Sequence, residues 1–492
     1  MSFSLRINYF AKMCFLASIL TKIVILVILF NLYVSVSQGI TGTYYVAPNG
    51  TAAWTECTAI ERPCSQATAK DSAKDGDLVY YLPGTYTETI LFLAHGVTAL
   101  SYEKHGAVIN NSKLNYGLYS NTDRVTFDGL TVYVPNGNNC GIKINPDAED
   151  CKIINNRIIG VNDNVYTYGI RAENGGAGLV VSGNEITAVS QGIGFSSVSG
   201  FSGLCRDNYI HSFSSYGTGG SSDGIKFSGG GDFTEFVVEH NEITGWHQDA
   251  IDLFGGNNVM VRYNYIHHCS GLNAGNGIKA GGASGGSNTI YGNRLVESGD
   301  RETGYGIASN SGDNLVIAYN IVIGFNYGIA IFSGDDNPRI VNNYIQSPNR
   351  GIVIGDVKNL LLVNNIMNGK NYDLKFNNTN EAITKKNIHV NFPSTYDSLN
   401  ERYSVDDDIF QTDPKVSLLK DGRIEIMPDS PVIDVGIPLE DKLSSGFSTD
   451  SVFPDHMVIY NQNNSGKGWE IGAFVYHIKL QPQPPSNLKV NY

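Results

Sequence analysis

The middle of this chain repeats one pattern of apolar and polar positions. Each repeat has a Gly-Ile pair, a turn, a second short apolar run and a triplet of asparagine, any residue and an apolar residue. Short strands of alternating apolar positions at a period of 20 to 50 residues predict a solenoid, with one turn per repeat. We therefore expect an all-β fold, a single-stranded right-handed parallel β-helix. The triplets begin at Asn156, Asn184, Asn208, Asn241, Asn264, Asn293, Asn320, Asn343 and Asn365.

The asparagines of this repeat are interpreted as structural. If the turns stack, each asparagine lies above the next, and its side chain can hydrogen-bond its neighbour at the bend between two strands. The Gly-Ile pairs recur in step with the asparagines, and Ala250-Ile251 occupies the one turn where the glycine is missing. Both observations favour nine or more turns in register.

The ends of the chain differ from the repeat and indicate three further segments. Residues 43–130 are predicted to form an N-terminal cap and the first coils, with a short helix within 65–73. The repeats occupy 131–380, and 381–480 is richer in Asp, Pro and Lys, as expected for a C-terminal capping segment that protects the last strand edge. Residues 481–492 are Pro- and Gln-rich and are predicted to be a flexible tail.

The N-terminus has the pattern of a secretory signal. Arg6, Lys12 and Lys22 precede the apolar run 23–36, and small residues follow it, so residues 1–37 are predicted to be a signal peptide cleaved after Ser37. A signal anchor is the alternative. The prediction is a secreted, extracellular protein with no stable membrane association after cleavage.

In an exported protein, cysteines can form disulfides and Asn-x-Ser/Thr sequons can be glycosylated. Cys57 and Cys64 flank a short turn-rich loop and are predicted to form a disulfide, while other pairings among the remaining cysteines stay open. Four Asn-x-Ser/Thr sequons are possible glycosylation sites. They begin at Asn49, Asn110, Asn377 and Asn463.

The net charge of −13 changes the list of possible partners. No stripe of Lys and Arg interrupts the acidic composition, so nucleic acid is not expected as a partner. An acidic polymer remains possible where a bound cation or local lysines offset the charge. The molecule is expected to be a monomer.

One group of repeats carries charge beside the Gly-Ile pair. The three segments are Asp223-Gly-Ile-Lys226, Asp249-Ala-Ile-Asp252 and Asn276-Gly-Ile-Lys279, at intervals of about one turn. In stacked strands Lys226, Asp252 and Lys279 would point outward in one column, and the aspartates 223 and 249 would turn toward the same groove. Three neighbouring carboxylates repel unless they bind a cation, and all-oxygen ligands suit Ca²⁺. This patch is the predicted active site.

Several neighbours of the patch are candidate substrate contacts. Lys226 is interpreted as a substrate-binding or solvated lysine, and Arg301 as a ligand of a substrate carboxylate. Trp246 and His247 lie beside the aspartates in the sequence. They are predicted to stack on a sugar, with simple packing as the alternative.

These motifs resemble those of polysaccharide lyase family 9 pectate lyases, which are pectin-lyase-like β-helices. The resemblance lies in Asp223-Gly-Ile-Lys, His247-Gln-Asp-Ala-Ile-Asp-Leu-Phe and Gly275-Asn-Gly-Ile-Lys-Ala-Gly-Gly. It implies an acidic-polysaccharide substrate, a Ca²⁺ cofactor and Lys279 as the catalytic base. The implied calcium ligands are Asp223, Gln248, Asp249 and Asp252, where Gln248 replaces a carboxylate that the family usually has.

Three other functions compete with a pectate-like lyase. A polygalacturonase-type hydrolase is disfavoured, because its carboxylate motifs would be Asn121-Thr-Asp and Gly334-Asp-Asp, which are many turns apart, and no Gly-His-Gly follows. A lyase or C5-epimerase acting on alginate or another uronan would share the same proton abstraction. The third possibility is a non-catalytic extracellular wall or adhesion protein.

Overall fold

The computed structural model describes residues 42–476, apart from several internal segments. The structure of those segments and of residues 1–41 and 477–492 is outside this description, so the predicted signal peptide and tail lie outside the described residues. The internal segments are 111–112, 114, 135–139, 147, 161–165, 174–176, 197–199, 215–221, 271–274, 282–286, 298–303, 378, 392–402, 420–422 and 454–455.

Short parallel strands stack along three faces, and the fold is the predicted right-handed parallel β-helix. Face A contains the Gly-Ile repeats, face B follows it in each turn, and face C contains the strands after the asparagines. Long strands join faces A and B into one 25-stranded sheet, while face C is a separate 14-stranded sheet.

The strands of each face are as follows. Face A contains Tyr116–Ser120, Cys140–Ile144, Tyr168–Glu173, Gln191–Ser196, Ile225–Ser228, Asp249–Asp252, Asn276–Gly281, Tyr305–Ser309, Tyr327–Asp336, Arg350–Val363 and Tyr372–Phe376. Face B contains Thr43–Val46, Leu78–Tyr81, Thr98–Ser101, Thr126–Asp128, Lys152–Ile154, Leu179–Ser182, Gly203–Arg206, Gly231–Glu239, Gly256–Arg262, Thr289–Tyr291, Val316–Ala318, Arg339–Val341, Asn380–Lys385 and Tyr403–Asp406. Face C contains Gly84–Tyr86, Ala107–Ile109, Thr131–Tyr133, Arg157–Ile159, Glu185–Thr187, Tyr209–His211, Glu242–Thr244, Tyr265–His267, Arg294–Val296, Ile321–Ile323, Tyr344–Ser347, Ile366–Gly369, Ile388–His389 and Ile409–Phe410.

The isoleucine of each Gly-Ile pair sets the register of face A. Ile225, Ile251 and Ile278 are directly paired on neighbouring strands and are completely buried. The glycine before the isoleucine is required by close packing. A Cβ on Gly277 would lie 2.4 Å from a methyl carbon of Leu295 and 2.6 Å from the carbonyl oxygen of Gly306.

The predicted asparagine ladder is confirmed. Asn264 is fully buried, and its Nδ2 donates to Asn293 Oδ1 at 2.9 Å, while its own Oδ1 accepts from Asn241 Nδ2 at 2.9 Å. The same contact recurs from Asn156 onward. The ladder extends past the predicted repeats to Asn387, whose Nδ2 donates to Asp408 Oδ1 at 3.1 Å.

The two ends of the solenoid are closed by different structures. The predicted N-terminal helix is Gln66–Ser72, and Ser65 Oγ caps it by accepting from the amide of Thr68 at 3.1 Å. Parallel pairing continues beyond residue 380 to Ile409–Phe410. The rest of the C-terminal segment forms the strands Val416–Leu418, Ile424–Ile426, Ser445–Ser448, Ile459–Asn461 and Phe474–Val475, and the 3₁₀ helices Asp441–Leu443 and Gln462–Asn464.

The predicted disulfide between Cys57 and Cys64 is not formed, and this prediction must be corrected. Both cysteines are buried free thiols, as are the four other cysteines among the described residues. Cys57 Sγ donates instead to the carbonyl of Trp54 at 3.2 Å. Their short sequence separation correctly indicated proximity, because burial and the neighbouring Cys57 thiol together raise the pKa of Cys64. Within the described residues, no helix is long and apolar enough to span a membrane.

Candidate active site on face A

Three neighbouring strands of face A carry the charged residues. Lys226 pairs with Asp252, and Asp252 pairs with Lys279, so the three form one column along the solenoid. A second column lies at the residue before the small residue and isoleucine, where Asp249 pairs with Asn276. The vertical alignment expected from the repeats is therefore present, and it brings acids and amines from three turns into one groove.

The aspartates 223, 249 and 252 form a buried acid cluster. They are at most 2% exposed, and each offers a carboxylate oxygen within 4.8 Å of the others. Asp223 Oδ1 accepts from the backbone amide of Asp249 at 3.2 Å, and Asp252 Oδ1 accepts from the amide of Phe254 at 2.9 Å. Asp249 Oδ2 is buried and has no hydrogen-bond partner among the described residues. The cluster therefore holds more negative charge than its hydrogen bonds satisfy.

Lys226 supplies the nearest positive charge to these acids. Its Nζ lies 2.7 Å from Asp223 Oδ2 and 3.3 Å from Asp252 Oδ2. Lys226 is predicted from the sequence to be a substrate-binding or solvated lysine, and the structure places its ammonium as the counter-charge of two carboxylates. An ammonium between two buried carboxylates is a strong interaction, because little water screens it.

Burial and charge shift the pKa values of this group. Burial raises the pKa of Asp223, an effect that Lys226 partly offsets. For Asp249, burial and the neighbouring carboxylates 252 and 223 raise the pKa to about 7. Burial lowers the pKa of Lys226, but the two carboxylates outweigh it and raise that pKa above its usual value. The Asp249 carboxyl therefore titrates near neutral pH.

Lys279 is the cation at the other side of the cluster. Its Nζ lies 3.8 Å from Asp252 Oδ1, and its side chain is 18% exposed. The same nitrogen lies 4.5 Å from the ring centroid of Phe254, which is 43% exposed. Lys279 is thus held between a carboxylate and an aromatic ring, and it remains accessible from the groove.

The donor set fits a calcium ion. Calcium takes oxygen ligands at about 2.3–2.6 Å, so two ligands of one ion lie up to about 5 Å apart. The three carboxylates meet this spacing. Asp249 Oδ2 and the Oδ1 of Asn276 are buried oxygens without hydrogen-bond partners among the described residues. A bound cation would be a partner for both oxygens.

The other predicted site residues have mixed outcomes. Trp246 is fully buried and lies beneath Gly275, so the prediction that its ring stacks on a sugar must be corrected in favour of packing. His247 is half-buried at the entrance to the strand of Asp249. Gln248 is anchored by its backbone, which accepts from the amide of Asn276 at 2.7 Å. Arg301 lies outside the described residues.

Three residues of the site were missed by sequence reasoning. Asn276 donates to Asp249 Oδ1 at 2.5 Å, and Phe254 contacts the Lys279 amine. Both belong to the quoted motifs, so their positions in the repeat were an available signal. Tyr166 is close enough to Asp223 and Lys226 to feel their charge, and its hydroxyl hydrogen-bonds Tyr168 at 3.1 Å. Nothing in its local sequence indicated this proximity.

Comparisons with known proteins support the fold and the general architecture. Residues 206–367 match the family model described as a right handed beta helix region. No curated protein matches this chain. The resemblance to family 9 pectate lyases that the motifs suggested is therefore not confirmed at the level of that family, while the right-handed β-helix fold is confirmed.

Three solved structures share the solenoid. The alginate lyase AlyF-OU02 in complex with G6 has a TM-score of 0.55 at 15% identity, covering 80% of this chain and 94% of that one. A family 6 alginate lyase in complex with trisaccharide has a TM-score of 0.52 at 15% identity, with 80% and 93% covered. The catalytic unit of the GH87 α-1,3-glucanase from Streptomyces thermodiastaticus strain HF3-3 reaches 0.50 at 15% identity, with 75% and 70% covered. The similarity shows a common fold, and a fold that carries both lyases and a glucanase does not determine the reaction.

Proposed function

We propose that this protein is an extracellular polysaccharide lyase that cleaves a uronic-acid polymer by β-elimination. The observation that carries the proposal is the geometry of one groove, where Lys279 faces an acid cluster suited to a divalent cation. The AlyF-OU02 structure and the family 6 structure are alginate lyases, and the motifs resemble pectate lyases. A uronan is therefore the substrate class.

The proposed reaction begins at C5 of a uronate. Lys279, in its uncharged form, takes the C5 proton, and the C–H electron pair forms the C4=C5 double bond. The C4–O bond breaks, and the leaving glycosidic oxygen keeps its electrons and then takes a proton from solvent. A base acts only when it is unprotonated and within reach of the proton, and Lys279 meets the second condition through its exposure to the groove.

The acid cluster would hold Ca²⁺ through the aspartates 223, 249 and 252, with the side-chain oxygens of Asn276 and Gln248 as further candidate ligands. The bound ion would neutralise the uronate carboxylate and make the adjacent C5 proton more acidic. The chain itself positions the ligands, and the buried carboxylate of Asp252 lies on one side of the base. Phe254, half-exposed beside Lys279, offers a surface against which the sugar ring would pack.

A panel of polymers tests the proposal. Purified protein is incubated with polygalacturonate, alginate and rhamnogalacturonan, each with calcium and with a chelator, and the ultraviolet absorbance of the new double bond is followed. We expect calcium-dependent absorbance on one polymer, which identifies both reaction and substrate. Proton exchange at C5 without cleavage would instead identify an epimerase, and a lack of any reaction would favour the non-catalytic alternative.

A further inference from the structure

Face A continues beyond Lys279 with a different kind of surface. In the column of Lys279 the next three turns carry Ala308, Ala330 and Val353. These side chains are small or apolar and at most 5% exposed. The surface along the Lys279 column is therefore low at these three turns. Longer side chains in the next column of the same strands border an open groove there.

That neighbouring column carries aromatic rings. Tyr305 pairs with Tyr327, and their ring centroids are 4.7 Å apart. Phe332 packs edge-on against Tyr305, with centroids 5.1 Å apart, and is 38% exposed. Tyr372 continues the column two turns further on. Partly exposed aromatic side chains along a shallow groove are a surface on which sugar rings stack.

Arg350 interrupts the aromatic column. It lies in register between Tyr327 and Tyr372, with its guanidinium carbon 5.0 Å from the centroid of the first ring and 5.7 Å from that of the second. Its Nε is buried and makes no hydrogen bond to any residue that the structure describes. No carboxylate among those residues forms an ion pair with Arg350. A fixed cation without an anion is a strong binding group in a protein with a net charge of −13.

Lys375 adds a second positive charge at the same place. It lies above Val353 on the next strand, and its Nζ is 6.0 Å from the ring centroid of Tyr372. Its side chain forms no ion pair with any carboxylate in the described part of the chain. Two cations and three tyrosines therefore line this part of face A, whereas the cations nearer the acid cluster contact carboxylates.

We propose that the surface formed by Tyr305, Tyr327, Phe332, Arg350 and Tyr372, the Arg350 subsite, binds acidic sugars of the polymer at a distance from the reacting bond. Arg350 holds a uronate carboxylate, and the rings pack against the sugar faces. The arginine lies three turns beyond the strand of Lys279, about 14 Å at about 4.8 Å per turn. The chain of sugars therefore runs along the solenoid axis. The identity of the sugar as a uronate rests on the proposed function.

Charge complementarity favours an acidic saccharide over a neutral one. A guanidinium binds a carboxylate through two parallel N–H···O bonds, and neighbouring rings fix its orientation. A neutral glycan would use the rings but leave the guanidinium without an anion. The Arg350 subsite thus selects for charge at a sugar that undergoes no chemistry.

The test measures polymer binding rather than catalysis. The mobility of the full-length protein is measured in native gels that contain polygalacturonate, alginate or neutral dextran, with chelator present to prevent turnover. We expect Arg350→Gln to weaken binding to the acidic polymer at least about tenfold, the size expected when one charge-assisted hydrogen bond is lost. Dextran should retard neither protein.

Lys358→Gln is the matched control. Lys358 lies on the same long strand, its side chain is 63% exposed, and it pairs with Asp336 at 3.4 Å on face B. The Lys358→Gln substitution removes one positive charge, as Arg350→Gln does. Binding of this control to the acidic polymer should stay at the wild-type level. Equal binding by wild type and Arg350→Gln, accompanied by a lower Tm for the variant, would overturn the proposal and make the column a structural stack.

The outcomes separate this inference from the proposed function. Loss of polymer binding in Arg350→Gln, in a protein that cleaves none of the three polymers, would support the Arg350 subsite and reject the lyase. Calcium-dependent cleavage by a protein whose polymer binding is unaffected by Arg350→Gln would support the lyase and reject the subsite.

Discussion

The asparagine ladder and the acid cluster both stack polar side chains on successive turns of the same solenoid, and both are buried. In the ladder, the amide of Asn264 donates to the next asparagine and accepts from the previous one at 2.9 Å. In the cluster, Asp223, Asp249 and Asp252 each offer a carboxylate oxygen within 4.8 Å of the others, but Asp249 Oδ2 has no hydrogen-bond partner among the described residues. Stacking thus satisfies the ladder and leaves the acid cluster short of partners.

The difference follows from the chemistry of the two side chains. A carboxamide carries both a donor and an acceptor, so identical amides satisfy one another at the spacing of a parallel sheet. An ionised carboxylate only accepts, so identical carboxylates repel and require a proton, a lysine or a metal. The solenoid therefore builds stability by repeating asparagine and chemical reactivity by replacing a few repeats with charge.

The largest expected effect is on the rate of polymer cleavage, when Lys279 is replaced. Lys279→Ala should lower the rate of uronan cleavage by about 10³-fold, within the range for loss of a general base. The Tm should stay within a few degrees of wild type, because the side chain is at the groove surface. Steady-state rates and thermal unfolding check both parts, with Lys358→Ala as the control. Wild-type rates in Lys279→Ala would remove the lysine from the mechanism.

Breaking the asparagine ladder should lower the stability of the fold instead. Asn264→Ala removes the acceptor for the amides of Asn241 and leaves the Val238 carbonyl without the 3.0 Å bond from Asn264 Nδ2. Buried polar groups without partners cost about 1–3 kcal/mol each, so we expect about 3 kcal/mol of destabilisation in denaturant unfolding. Asn371→Ala, which breaks an exposed Asn–Asn bond to Asn349, should cost under about 0.5 kcal/mol. Equal effects in both variants would contradict the structural interpretation.

Calcium should supply the partner that the carboxylates of the acid cluster lack. A ligand at about 100 times its Kd stabilises the native state by about 2.7 kcal/mol, so calcium should raise the Tm of wild type. Asp249→Asn should abolish this increase, because it removes a ligand whose Oδ2 has no other partner among the described residues. Asp429→Asn, an acid far from the cluster in a pair with Lys415, should keep it. A calcium response in Asp249→Asn equal to that of wild type would place the ion elsewhere.

Glu470, a buried acid outside both columns, gives a reference for acid burial. Burial raises the pKa of Glu470 from 4.5 to about 8. The folded state therefore favours the protonated acid, and its contribution to stability is complete below about pH 4.5 and declines as the pH rises to about 8. Relative to Glu470→Gln, wild type should lose up to about 1.4 kcal/mol per pH unit in this window. Denaturant unfolding of both proteins across pH measures the difference, and parallel curves would contradict the shift.

The sequence was sufficient to predict the site residues wherever the repeat defined their positions on the strands. The register of Lys226, Asp252 and Lys279 follows from the isoleucines beside them, because a one-residue slip would expose a buried isoleucine column. Tyr166 could not be found in this way, since it lies outside the repeated strands and reaches the cluster through tertiary packing. The prediction that the Trp246 ring stacks on a sugar was wrong for a related reason. Trp246 lies just before a strand, where its position in the repeat does not specify whether its side chain points inward.

By itself the sequence determined the solenoid, its register and the stacking of acids above lysine, because a period of alternating apolar residues has few ways to bury its core. Only the tertiary structure decided how the charges pair. It placed the Lys226 ammonium between two carboxylates and left Arg350 between tyrosine rings without an acid partner among the described residues. Such partners depend on distances of a few ångströms between side chains on different turns, which spacing along the chain does not specify.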